Sequence, residues 1–144
     1  MTEINFHHGV GDPVAYACRL LQKAHQRGAR VAVIAPPEQL ARLDQALWTF
    51  EPTSFVAHAS LALGASPAPA LRESTKVWLV ERALDAPHHE VLVNLGVDSA
   101  DGFESFERLF EVLGSSTAEI GAGRRRWQQY KSRGYAIASH AVGA

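Results

Sequence analysis

The sequence predicts a three-layer α/β domain with a mostly parallel sheet, and three observations carry that prediction. Short apolar runs at Arg30–Ala35, Val77–Val80 and Val91–Leu95 read as strands buried on both faces. Longer segments with apolar residues at three- and four-residue spacing alternate with them, as crossover helices do. The chain has 144 residues, 47% apolar and 20% charged, which is enough interior for one core without a disulfide or metal staple.

The elements follow in order. Ile4–Phe6 predicts a first strand that ends at Gly9. Val14, Ala17, Cys18, Leu21 and Ala24 then define a helix that Asp12 caps, Pro13 opens and Gly28 closes. With Arg30–Ala35 this makes a β–α–β unit, implying a parallel pair joined by a right-handed crossover. A second helix follows Pro36–Pro37, carries Leu40, Leu43, Ala46 and Leu47 on one face, and runs to the neighbourhood of Trp48. Phe55–Ala57 is a short strand candidate. Residues 59–76, rich in Ala, Pro, Ser and Gly, read as an exposed connection. A polar turn containing Pro87, His88 and His89 separates the strands Val77–Val80 and Val91–Leu95. Phe103, Phe106, Phe110 and Leu113 stand at i, i+3, i+7 and i+10 and predict an amphipathic helix. Thr117 to Arg133 predicts the last helix, stopped by Gly134, with Tyr135–Ala138 as a terminal strand or extended tail. Without an internal repeat or a second composition block, residues 1–144 read as a single domain.

Composition removes several function classes. A net charge of −1 argues against a uniformly basic nucleic-acid-coating domain. One cysteine, Cys18, excludes a disulfide framework and a multi-cysteine metal site, and its place on an apolar helical stripe suits a packed thiol. The apolar runs are too short to span a bilayer, and MTEINFHHG lacks a signal-peptide pattern, so the expected compartment is the cytoplasm.

No catalytic constellation emerges. The loop His8–Gly9–Val10–Gly11–Asp12–Pro13 offers only two glycines of a dinucleotide fingerprint, with an acid and a proline where phosphate would sit. There is no G-K-[ST], no H-E-x-x-H and no G-x-S-x-G. The adjacent pairs His7–His8 and His88–His89 would point apart and read as solvated residues. Asp98, Asp101 and Glu104 read as capping groups around a helix start. Expected cofactors, metal ions and catalytic residues are therefore none.

Two features ask for more. Trp48 closes the second helix and Phe55 follows Pro52 and Ser54; both fit either a core position or an exposed anchor for a partner. The run Arg124–Arg133 (RRRWQQYKSR) holds five basic residues and no acid, although residues 98–119 are acidic. Arg124, Gln128 and Lys131 share one helix face, with Trp127 and Tyr130 beside it. One reading is a solvated face balanced by nearby acids. The other is an anion-binding groove with an aromatic floor, suited to an acidic peptide, a carboxylate or a single strand.

Four segments, ARLDQALWTFEPTSFVAH, VLVNLG, GFESFERLFEVL and RRRWQQYKSRGYAI, resemble the chi subunit of bacterial DNA polymerase III holoenzyme in the family's order. The resemblance covers most of the chain. It implies a non-enzymatic replication accessory protein whose α/β fold is similar to nucleotide-binding proteins without their phosphate loop. It also implies two protein partners: the psi subunit, which links chi to the clamp loader, and the acidic C-terminal tail of single-stranded DNA-binding protein. DNA is then contacted only indirectly, and no membrane is involved. Trp48 and Phe55 match the family's aromatic positions toward psi. Arg124 and Trp127 match positions of the tail site, while Gln128 stands where the family pattern is basic, leaving Arg125 or Lys131 to compensate. Leu113 and Ile120 are carried as apolar walls. The competing expectations are a direct single-strand-binding module and a degenerate nucleotide-binding enzyme.

Overall fold

A computed structural model describes residues 2–49, 58–61, 68–98 and 100–142. Its elements are β1 (Glu3–Val10), α1 (Pro13–Gln26), β2 (Val31–Ile34), α2 (Pro37–Thr49), β3 (His58–Ser60), α3 (Pro69–Ser74), β4 (Val77–Val80), β5 (Val91–Asn94), β6 (Arg108–Gly114), α4 (Thr117–Ser132) and β7 (Ile137–Ala141). The strands form one sheet in the order β3-β4-β2-β5-β6-β1-β7. All six pairings are parallel.

Strand alternation builds the layers. Val31, Val33 and Ala35 of the second strand region pack with Ala17, Cys18 and Leu21 of α1 and Leu43 and Leu47 of α2. Ala32 and Ile34 face the other way, into a second core with Trp78, Phe103, Phe106 and Tyr130 of α4. The result is the three-layer architecture expected, with α1 and α2 on one face and α4 on the other. Asp12 caps α1 as expected, its carboxylate accepting the Ala15 N–H at 3.2 Å.

Several boundaries differ from expectation for physical reasons. β1 and β2 are parallel but not neighbours; β5 and β6 lie between them, so the first crossover spans the middle of the sheet. β1 also continues to Val10, its register shifting around Gly9, where φ of +71° asks for glycine. Residues 59–76 are not simply a connection, because they contain the end of edge strand β3 and the short helix α3. The strand candidate Phe55–Ala57 lies outside the described residues.

The largest correction concerns residues 103–113. Phe103–Ser105 is a single 3₁₀ turn, and Arg108–Gly114 is β6, an interior strand between β5 and β1. The helical spacing of the phenylalanines is an accident of two elements: Phe103 and Phe106 plug the α4-side core, whereas Phe110 lies on the α1 side of β6. A strand buried on both faces has no period to advertise. At the C-terminus, of the two readings of Tyr135–Ala138 the strand holds in part: β7 starts at Ile137, runs on to Ala141, and pairs with β1 as an edge strand.

Candidate functional site

Helix α4 begins with a capping box. Ser116 Oγ accepts the Glu119 N–H at 3.2 Å, while the Glu119 carboxylate takes the Gly114 N–H at 2.8 Å and the Ser116 hydroxyl at 3.0 Å. The helix turns Gly123, Arg126 and Tyr130 inward, at i, i+3 and i+7. Arg126 and Tyr130 both close on Glu111, which is fully buried in β6. Arg126 Nε donates to Glu111 Oε1 at 2.8 Å, and Tyr130 Oη and Asn94 Nδ2 donate to Oε2 at 2.6 and 3.1 Å. Burial pushes the Glu111 carboxyl up, against the opposing pull of Arg126. Burial and the adjacent Glu111 push the Tyr130 phenol up as well.

This network corrects the reading of the basic run. Arg126 is an interior residue, and Tyr130 is no part of an exposed aromatic floor. Arg133 is engaged too, with Nη2 2.7 Å from Glu104 Oε1 and its guanidinium over the Phe103 ring. That hydrogen bond holds the Glu104 carboxyl below its usual range, so Glu104 is an ion-pair partner and not a helix cap. Arg124, Arg125, Gln128 and Lys131 remain on the outer surface of α4.

Between α4 and the sheet lies a groove of about 320 Å³. Its apolar lining includes Phe6, Leu113, Ile120 and Trp127. Trp127 is half-buried and packs edge-on against Phe6 at 5.1 Å between ring centroids. Arg124 and His8 supply the basic groups, with Ser115 and Ser139 as neutral polar ones, and among the described residues no carboxylate lines the groove. The space exists because residue 123 is glycine: a Cβ there would come within 2.5 Å of Leu113 Cδ1. The structure thus brings Arg124, Trp127, Leu113 and Ile120 together, while Arg125, Gln128 and Lys131 lie outside the lining. Sequence reasoning missed His8 and Phe6, whose alternation on β1 points both at the groove, and missed Glu111, whose signal was a lone acid inside the apolar run LFEVL.

The aromatic block maps elsewhere. Trp48 at the end of α2 is 59% exposed. Its ring lies 5.3 Å from that of His58 on β3, and His58 Nε2 is 2.8 Å from Asp44 Oδ1. The spacing of Asp44, Trp48 and His58 in the sequence is therefore one local cluster joining α2 to an edge strand. Phe55 lies outside the described residues. Trp48 sits by edge strand β3 on the α2 face, and the groove sits by edge strand β7 on the α4 face. Six inter-strand steps of ~4.8 Å put those edges roughly 29 Å apart.

Among the described residues, no group of three or more His, Cys, Asp or Glu could hold a metal ion, and no helix is long and apolar enough to cross a membrane. Cys18 is buried, and burial raises its thiol, which suits packing.

Comparison with known proteins identifies the family. Residues 1–138 match the family model described as DNA polymerase III chi subunit, HolC. The chain is 30% identical to the DNA polymerase III subunit chi of Pseudomonas aeruginosa, across 97% of this chain and 96% of that protein. It is 27% identical to the subunit chi of Haemophilus influenzae, across 88% of this chain and 85% of that protein.

Proposed function

Since the chain belongs to the DNA polymerase III chi subunit family, we propose that it is a non-catalytic adaptor of the replicative holoenzyme, a single domain over residues 1–144 acting in the bacterial cytoplasm. It joins a psi-type subunit of the clamp-loader assembly to the acidic C-terminal tail of single-stranded DNA-binding protein. The observation that carries this reading is the α4 groove, a partly apolar slot with Arg124 at its rim and no acidic side chain among the described residues of its lining.

The chemistry follows from that lining. An aromatic ring entering beside Phe6, Leu113, Ile120 and Trp127 loses water-exposed area, and a carboxylate at its end meets the Arg124 guanidinium. Arg125 and Lys131 lie further along α4, where they attract aspartates preceding the ring. Exposed ion pairs contribute only about 0–1 kcal/mol each, so the ring and the terminal carboxylate dominate affinity. Gln128 adds a neutral hydrogen-bonding contact where an ionic one would be stronger. Trp48, with Phe55 near it in sequence, anchors the psi subunit.

Direct single-strand binding is the weaker reading, because stacking of successive bases needs a row of exposed aromatic faces. Tyr130 is buried, which leaves Trp127 alone on α4. Titration of the protein with a peptide copy of the host single-stranded DNA-binding protein tail tests the proposal. Binding that weakens with salt and is lost in Arg124→Ala/Trp127→Ala supports it. No binding at low salt, or undiminished binding by the double variant, refutes it.

A further inference from the structure

We propose that His8 is the second basic contact of the α4 groove and makes capture of an acidic, carboxylate-ended peptide tighter as pH falls from about 8 to 6. This inference rests on the tail-binding reading above and adds a residue and a pH response to it.

The placement follows from strand geometry. Side chains of β1 alternate, so Phe6 and His8 point to the α4 face. His7 points to the other face, where its ring meets Tyr16, Phe110 and His140. In β7 the register sets Ala141 beside His8 and Ser139 beside Phe6, so only small side chains flank the imidazole on that side. Half-buried and lining the groove, His8 is, among the described residues, the one side chain there besides Arg124 that can carry positive charge.

The surrounding charges leave room for a ligand carboxylate. From α4 come Arg124, on the groove, and Glu119, whose carboxylate is held by the Gly114 N–H and the Ser116 hydroxyl. From β6 comes Glu111, committed to Arg126 and Tyr130 in the interior. From β7 comes His140, on the opposite face against His7 and Asn5. Over this pH range an arginine stays protonated and peptide aspartates and C-terminal carboxylates stay ionised. A histidine side chain is the group that changes charge. Its protonation turns a neutral contact into a charge-assisted one, a gain of about threefold to fivefold in affinity at a partly exposed site.

The test is a fluorescence-anisotropy titration at pH 6 and pH 8 with an N-acetylated, aspartate-rich peptide ending in phenylalanine with a free carboxylate. The protein should bind about threefold to fivefold more tightly at pH 6. His8→Gln should bind with one and the same affinity at pH 6 and pH 8, whatever its level, while His7→Gln keeps the gain at pH 6. Equal affinity at both pH values, or a gain that survives His8→Gln, overturns the role of His8. Absence of binding at both pH values, or binding undiminished by Arg124→Ala, overturns the tail-binding reading and this inference together.

Discussion

Arg126 of α4 and Glu111 of β6 form an ion pair inside the protein, Nε to Oε1 at 2.8 Å, with both side chains withdrawn from solvent. The pair fixes which way α4 is rolled on the sheet. With Arg126 turned inward, Arg124 falls at the groove and Trp127 at its floor, two residues and one residue away. The same basic run therefore divides into an anchor and a binding edge.

Loss of that anchor should be costly. Arg126→Met leaves a buried carboxylate without its cation, and removing one partner of a buried pair costs about 3–5 kcal/mol. Arg124→Ala and Arg125→Ala, on the surface, should change stability by no more than about 0.5 kcal/mol. Urea unfolding of the three variants separates the two classes.

Gly123→Ala tests the origin of the groove. The added methyl would meet Leu113 Cδ1 at 2.5 Å, so Leu113 must turn toward the space where a ligand ring would enter. Stability should fall by about 1–3 kcal/mol from overpacking, less about 1 kcal/mol regained from helix propensity. Peptide affinity should fall further than that of an equally destabilised variant elsewhere, as read by calorimetry.

Trp48→Ala separates folding from association. With Trp48 59% exposed, the change should leave the thermal midpoint nearly unaltered, within about 0.5 kcal/mol of stability. It should weaken binding to a psi subunit by 2 kcal/mol or more, about thirtyfold, if the residue is an interface anchor. Pull-down and titration with the purified partner give the comparison.

Acid should destabilise the protein before its carboxylates titrate. Burial lowers the affinity of His7 for a proton, helped by His140 and His8, and burial likewise lowers that of His88. A histidine with a folded pKa below its unfolded value of about 6.5 binds more protons when unfolded, so stability declines as pH falls through that value. Thermal melts from pH 7.5 to 5.5 should show a falling midpoint, and His7→Phe should flatten part of the slope.

Much of this was legible in the sequence. The Asp12 cap, the α1 stripe, three central strands and the α4 span all follow from periodicity and punctuation. Residues 103–113 were not legible, because a strand buried on both faces offers no alternation and two unrelated elements happened to space their aromatics like a helix. The site was half legible. Arg124 and Trp127 stood out as charge beside an aromatic, but a linear run cannot say that Arg126 turns inward, since its partner Glu111 is fifteen positions away on a strand. His8 was hidden for a similar reason: it joins Arg124 only once β1 lies beside β6 and beneath α4.

The central claim is that two partners bind separate surfaces at opposite edges of the sheet. Its most direct test is the affinity for the tail peptide measured alone and again with the protein saturated by a psi subunit. The account predicts the same affinity in both states and a ternary complex on size-exclusion chromatography. Displacement of the peptide by the psi subunit would contradict it.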